Sequence, residues 1–213
     1  MQGVIIYLGP SLTLDKAQEI LKADYRPPVK REDLLKVIPE RPSIIGIIDG
    51  VFLERAAVGH REILQMIKAG VKVIGSSSMG ALRASELDHF GMIGIGEIYR
   101  MYHDGVIEAD DEVALMCDPV TNQACSDAMV NIRVTCRAGV SCGIITRQEA
   151  EIIIMTGKDL WYPDRTWNRI LMECINDDTR RHEISEWILY NKIDQKKNDA
   201  IEALKYIKSL ISG

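Results

Sequence analysis

Three consecutive serines, Ser76, Ser77 and Ser78, follow a short β-branched run and precede a stretch with helical periodicity. Residues 71–87 read VKVIGSSSMGALRASEL. A nucleophile elbow joins a strand to a helix and needs small residues two positions before and after the nucleophile, because the turn is tight. Around Ser78 those positions hold Ser76 and Gly80, so we predict Ser78 as a candidate nucleophile. The alternative is that the serines only cap the following helix.

The same turn offers groups that could stabilise an oxyanion beside Ser78. A nucleophile at the start of a helix lies next to free backbone N–H groups and the positive end of the helix dipole. The Met79 N–H is therefore the first candidate donor, and Ser77 and Gly80 are predicted to border the same site. Ser77 is the weaker candidate nucleophile, because Met79 would then occupy a position that needs a small residue. A phosphate loop is disfavoured, since Lys and Ser or Thr do not follow Gly80.

A serine nucleophile needs a general base, and lysine can take this role in place of histidine. The four histidines have no evident acidic orienter in the sequence, so we predict that they are surface or packing residues. Lys30 is the candidate base. It lies in the stretch DYRPPVKRED, where two prolines stiffen the loop and Arg26 and Arg31 are cationic neighbours. Burial and like charge both favour a neutral lysine. The alternative is a solvated charge at a helix start.

Two further residues are candidates for substrate binding. Asp49 ends a buried apolar run, and the carboxyl ends of strands in an open α/β sheet face the ligand crevice. The alternative for Asp49 is a turn-forming role before Gly50. Arg83 lies on the predicted helix that follows Ser78. Its alternative is an ion pair with Glu86, three residues further along the same helix.

The elements that would position these residues alternate between apolar runs and helical stretches. Strands separated by helices favour parallel pairing and an α/β fold. The prolines at 27 and 28 predict a loop over residues 24–30. The glycines over residues 91–96 predict a turn. They do not form a dinucleotide-binding site, because such a site needs a strand directly before the glycines and none precedes them. We predict adjacent strands at residues 4–8, 44–48 and 71–74, and helices at residues 13–23, 31–38 and 56–70.

The remainder of the chain has mainly helical periodicity. We predict an α/β core over residues 1–138 and a C-terminal helical annex over residues 139–213, packed together as one compact unit. From Thr146 onward almost everything should be helical, and Thr146 with Glu149 has the spacing of a capping box. The three tryptophans are expected to serve helix or core packing.

Composition limits the possible function. The chain has 213 residues, 46% apolar residues and a formal net charge of -5, which argues against a dedicated nucleic-acid binder. The five cysteines are odd in number and form no CxxC pair, so free thiols in a reducing compartment are expected and no metal site is predicted. No signal peptide and no apolar run of membrane-spanning length is found. We therefore expect a cytoplasmic protein without a membrane partner.

Six segments resemble, in order along the chain, the motifs of the TfuA-like family. The resemblance spans residues 3–133, and the helical tail carries no recognised motif. One departure is Glu32, where a glycine is more familiar. The segments are DYRPPVKREDL, GIIDGVF, GSSSMGALRASEL, FGMIGIGEIY, DGVIEADDEVA and SDAMVNIR.

The resemblance implies a function. Family members accompany YcaO enzymes, which use ATP to activate a peptide amide and replace its oxygen with sulfur. A TfuA role would be to release sulfur from a thiocarboxylated ThiS-like carrier protein, with no cofactor of its own. The resemblance also implies a serine–lysine pair, which maps onto Ser78 and, less directly, onto Lys30. The competing hypothesis is a non-catalytic adaptor that docks the carrier, the YcaO enzyme and the substrate, for which neither residue is needed.

Overall fold

The first part of the chain forms a five-stranded parallel sheet with helices between the strands, which confirms the predicted α/β class. The computed structural model describes residues 3–52, 56–118 and 124–212. The strand order is β2-β1-β3-β4-β5. The strands are β1 (Val4–Tyr7), β2 (Asp24–Arg26), β3 (Ile44–Ile47), β4 (Lys72–Ser76) and β5 (Ile93–Ile95).

The three central strands are the three that the apolar runs predict. β1 pairs with β3 and β3 with β4, all parallel, with Ile45 next to Ile5 on one side and to Val73 on the other. The three helices with predicted bounds are shorter than predicted: α1 (Leu14–Ile20), α2 (Asp33–Lys36) and α3 (His60–Lys68). α4 (Met79–Leu87) connects β4 to β5, and α5 (Glu97–His103) follows β5.

The two edge strands were missed by the sequence analysis. β2 lies in the segment predicted as a loop, because its three residues are followed directly by Pro27 and Pro28, which signal a break. β5 lies where a turn was predicted, with a glycine between two isoleucines. A side chain at Gly94 would begin only 2.2 Å from the Tyr99 ring, so glycine is needed there for packing. Short edge strands carry little periodic signal, and both predictions were wrong for that reason.

The chain divides into two compact units, one formed by residues 1–108 and 196–213 and the other by residues 109–195. This division differs from the boundary expected after residue 138. The last helix, α10 (Gln195–Ser212), places nearly all of its residues in the first unit. There its buried residues Ala203, Leu204 and Ile207 pack with Ile6 and Ile48 of the sheet region.

The second unit is helical in its described residues. Its apolar core contains the fully buried side chains Ile132, Ile153, Ile170 and Ile184, one from each helix. The Thr146 capping box forms as predicted, and no strand occurs over residues 146–212, which confirms the helical tail. Trp167 is buried, but Trp161 is 68% exposed and does not serve core packing. The helices are α6 (Met129–Ser141), α7 (Arg147–Asp159), α8 (Trp167–Cys174) and α9 (Asp178–Asn191).

Candidate functional site

The serine turn lies at the carboxyl end of β4, where it joins α4, as predicted. The left-handed backbone conformation falls on Ser77, with φ of 66°, and not on Ser78, whose φ is -112°. A non-glycine residue in this region is strained. The apex of the turn is therefore one residue earlier than the elbow pattern centred on Ser78 predicts. The hydrogen-bond partners of the Ser77 hydroxyl are far away in the sequence, so no local pattern reveals them.

Gly80 is small because the start of α4 packs directly against the end of β3. A Cβ atom added at Gly80 would lie 1.7 Å from the carbonyl oxygen of Ile47, and one added at Gly75 would lie 2.1 Å from the carbonyl oxygen of Gly80. No side chain fits at either position. The small-residue requirement that the sequence suggested thus has a steric cause in the approach of two backbones.

The three serine hydroxyls have different surroundings. Ser76 donates a hydrogen bond of 3.0 Å to the carbonyl oxygen of Asp199. The Ser77 Oγ lies 2.9 Å from Ser11 Oγ and 2.8 Å from the carbonyl oxygen of Lys196. Ser78 is 7% exposed, and its hydroxyl makes no hydrogen bond within the described residues and does not cap α4.

Ser78 also occupies a favourable electrostatic position. It is the N-cap residue of α4, where the Gly80 N–H donates to the Ile48 carbonyl at 3.5 Å and the Ala81 N–H to the Ser78 carbonyl at 3.0 Å. The Met79 N–H is left without an acceptor among the described residues. These N–H groups carry the positive end of the helix dipole. A negatively charged group bound next to Ser78 would be stabilised by them.

Asp49 lies at the carboxyl end of β3, as predicted, but its carboxylate is already bound by the chain. It accepts hydrogen bonds from the N–H of Gly9 at 2.8 Å, from the N–H of Ser11 at 3.2 Å and from the hydroxyl of Ser11 at 2.7 Å. Asp49 is 2% exposed. The Asp49 carboxylate therefore holds the loop after β1 in place, instead of the predicted contact with a substrate. Ser11, which links Asp49 to Ser77, was missed by the sequence analysis.

Lys30 is exposed, and within the described residues only its neighbour Val29 connects it to the serine turn. Its neighbour Val29 pairs with Gly50, and a Cβ added at Gly50 would lie 2.8 Å from the Met79 side chain. No hydrogen bond joins the Lys30 ammonium to Ser78 in the described part of the chain. The cationic neighbour Arg26 is compensated by ion pairs with two carboxylates at 2.6 Å. The buried, cation-rich environment expected for Lys30 is thus not present.

Lys30 lines a cavity of about 420 Å³ at the carboxyl edge of the sheet. Ser78 does not line it. The backbone nearby shows why glycine is the more familiar residue at position 32: Glu32 has φ of 70°, a conformation that favours glycine. A larger cavity of about 620 Å³ lies at the amino ends of the strands, away from the serine turn. The residues lining the smaller cavity are Tyr7, Arg26, Pro27, Pro28, Lys30, Asp33, Lys36 and Val51.

Lys196 is a second lysine beside the serine turn, and the sequence analysis missed it. Lys196 is 2% exposed, and its backbone carbonyl oxygen lies 2.8 Å from the Ser77 hydroxyl oxygen. Nothing in the local sequence distinguishes it from the other lysines of α10. Only the packing of α10 beside the end of β4 reveals it.

Arg83 is held in a structural network. Its guanidinium donates to Glu86 at 2.6 Å and to the carbonyl oxygen of Val58 at 3.1 Å, so the alternative of pairing with Glu86 is the observed one. His60 lies 2.8 Å from the same carboxylate, His103 lies 2.9 Å from Asp104 and His89 lies 3.7 Å from Asp88, so three histidines do have acidic partners. All four histidines are exposed, as predicted. Hydrogen bonding to Asp104 raises the pKa of His103.

The site is thus a serine at a helix start, at the carboxyl edge of a parallel α/β sheet whose strand order is that of flavodoxin-like proteins. A family model for TfuA-like protein matches residues 49–166, more than half of the chain. The chain belongs to the TfuA-like family, as its motifs suggest, and membership associates it with YcaO-dependent thioamidation systems. A search of the curated proteins finds no match.

The matched range includes Asp49 and the serine turn, whereas Lys30 lies before it. It also continues past residue 133, where the resemblance in the sequence ends, to residue 166 of the second unit. Among the described residues, no group of three His, Cys, Asp or Glu side chains is placed to hold a metal ion. Within those residues, no helix is long and apolar enough to cross a membrane.

Proposed function

We propose that the protein hydrolyses a thiocarboxylated ThiS-like sulfur carrier and so supplies sulfide to a YcaO partner. The observation that carries this proposal is the hydroxyl of Ser78. It is the one serine of the turn whose hydroxyl makes no hydrogen bond within the described residues, although it lies at the start of α4. A serine that served only as a helix cap would bond to an amide of the first turn.

The chemistry has two steps. In the first, the Ser78 oxygen bonds to the thiocarboxylate carbon, the carbon–sulfur bond breaks, and the hydroxyl proton leaves with the sulfur as hydrosulfide by way of the base. In the second, water attacks the resulting ester, which regenerates the serine and leaves a carboxylate on the carrier. The Met79 N–H, with the helix dipole behind it, stabilises the oxyanion in both steps.

Lys30 is the proposed base, and the pairing of Val29 with Gly50 supports its closeness to the turn. The side chain is exposed, so binding of the carrier has to bring its amine to the serine, directly or through one water. Lys196 is the competing base, because the residue is buried and its backbone carbonyl lies beside the Ser77 hydroxyl. Neither assignment requires a cofactor, and the ATP is used by the YcaO enzyme.

The test is sulfide release from thiocarboxylated carrier, measured with the purified chain alone. Ser78→Ala should abolish release, because losing the nucleophile of a serine hydrolase removes most of a rate enhancement on the order of 10⁶. Binding of the carrier should persist, since only one oxygen atom is lost. Near-normal release by this variant would overturn the assignment.

The lysines are compared with the same assay. Lys30→Met should lower the turnover number with little change in carrier binding if Lys30 is the base, and Lys196→Met is the matched variant. A loss of sulfide release confined to Lys196→Met would assign the base to Lys196.

If the wild-type chain releases no sulfide but binds the carrier and a YcaO enzyme together, the adaptor hypothesis is correct and the hydrolase proposal fails.

A further inference from the structure

The crevice between β1 and β3 is the place where this type of sheet binds ligands. The order β2-β1-β3-β4-β5 changes direction there, and in open α/β sheets ligands bind at such a point, outside the carboxyl ends of the strands. Backbone N–H groups of the adjoining loop then commonly hold an anion. In this chain the adjoining loop follows β1 and includes Gly9 and Ser11.

Three hydrogen-bond donors of this loop converge on one carboxylate. The N–H groups of Gly9 and Ser11 point at Oδ2 of Asp49, at 2.8 and 3.2 Å, and the Ser11 hydroxyl points at Oδ1, at 2.7 Å. Asp49 is 2% exposed and Ser11 is 3% exposed. The donors come from one loop and the carboxylate from another strand, so this is not a local turn.

We propose that the loop after β1 is an anion-binding cradle that the chain fills with its own carboxylate, Asp49. The crevice at the switch point therefore takes no external phosphate or nucleotide. Its role is instead to fix the serine turn, because Ser11 Oγ is 2.9 Å from Ser77 Oγ. When Asp49 is removed, the cradle binds a small carboxylate such as formate, or inorganic phosphate.

The surroundings keep the cradle tight around Asp49. A Cβ added at Gly9 would lie 2.5 Å from Pro28 Cγ and 3.3 Å from the Asp49 Cβ, so the loop approaches both as closely as glycine allows. The carbonyl oxygen of Asp49 also accepts the Val29 N–H at 3.0 Å. Asp49 thus joins the loop after β1, the segment before Lys30 and, through Ser11, the serine turn.

The test is rescue of Asp49→Ala by formate, compared with Asp49→Asn, whose amide still fills the cradle. The thermal midpoint is measured in formate and in chloride at equal ionic strength, and the ¹⁵N-labelled amides of Gly9 and Ser11 are followed. For Asp49→Ala we expect a saturable rise in midpoint and a shift of both amides. At ten times its dissociation constant, formate raises the folded-to-unfolded ratio about elevenfold. Wild type and Asp49→Asn should not respond.

Several results would overturn the proposal. One is an Asp49→Ala protein that folds and shows no response to formate or phosphate. Another is a shift of the Gly9 and Ser11 amides of wild type with phosphate, because the cradle would then be open. If Asp49→Ala does not fold in chloride, refolding yields decide: recovery in formate alone supports the cradle, and equal failure in both salts contradicts it. None of these measurements depends on sulfide release.

Discussion

The three adjacent serines look alike in sequence and differ in what they contact. Ser76 and Ser77 are fully buried and bonded to carbonyl oxygens of α10, whereas the Ser78 hydroxyl is unbonded within the described residues. Ser77 also bears the strained backbone. Two of the serines therefore have a structural role that leaves the third available for chemistry.

Replacing Ser77 should affect stability and replacing Ser78 should not. Ser77→Ala removes the buried hydrogen bonds of the Ser77 hydroxyl with Ser11 Oγ and the Lys196 carbonyl, which costs about 1–3 kcal/mol in the free energy of unfolding. Ser78→Ala removes a hydroxyl without a partner, so we expect a change below about 0.5 kcal/mol. Denaturant unfolding of both variants measures this difference. An equal loss in the two variants would show that Ser78 is an ordinary structural residue.

Among the helices, α7 shows most directly how one side chain can fix an element. The Glu149 carboxylate accepts hydrogen bonds from the N–H and hydroxyl of Thr146, and Arg180 of α9 binds it through two nitrogens at 2.7 and 2.9 Å. Hydrogen bonding to Arg180 lowers the pKa of Glu149 to about 2. One carboxylate thus closes the start of α7 and ties it to α9.

We expect Glu149→Gln to destabilise the protein by about 1–3 kcal/mol at neutral pH, since a charged hydrogen-bond acceptor is lost. The folded-state pKa lies below the ordinary value of 4.5. The stabilisation is therefore complete above about pH 4.5 and is lost as the pH falls towards 2, so the difference between wild type and variant should shrink over that range.

Unfolding curves at several pH values measure the effect of Glu149→Gln. The matched control is Glu151→Gln on the same helix, because Glu151 is exposed. It should change stability by no more than about 0.5 kcal/mol at any pH. A difference between wild type and Glu149→Gln that stays constant from pH 7 to about pH 2 would contradict the role assigned to the ion pair.

At the scale of the whole molecule, the last helix of the chain packs into the same apolar core as the first strands. α10 returns to the first unit and places Ile207 against the sheet, where a Cβ at Gly46 would lie 3.0 Å from the Ile207 side chain. The first two turns of α10 also supply the carbonyl oxygens that Ser76 and Ser77 bind. The serine turn therefore depends on residues that are more than a hundred positions away.

Ile207→Ala should cost about 2–5 kcal/mol in the free energy of unfolding, because a fully buried side chain is truncated and leaves a cavity. Ile211→Ala is the control on the same helix, since Ile211 is 50% exposed and should change stability by at most about 0.5 kcal/mol. Chemical denaturation of the two variants tests this. Similar values for both would show that α10 is not part of the core.

The sequence by itself determined the features that depend on neighbouring residues. Apolar runs predicted β1, β3 and β4, Thr146 and Glu149 predicted the start of α7, and the serines were placed correctly between a strand and a helix. Periodicity and capping act over a few residues, so a single sequence shows them directly.

Only the tertiary structure decided which groups meet. It placed the backbone strain on Ser77, bound Asp49 to the loop after β1, left Lys30 exposed and brought Lys196 beside the serine turn. It also returned α10 to the first unit and added two edge strands too short to predict. Burial and hydrogen-bond pairing arise between residues that are far apart in the chain. A local sequence pattern cannot predict which of these residues the topology brings together.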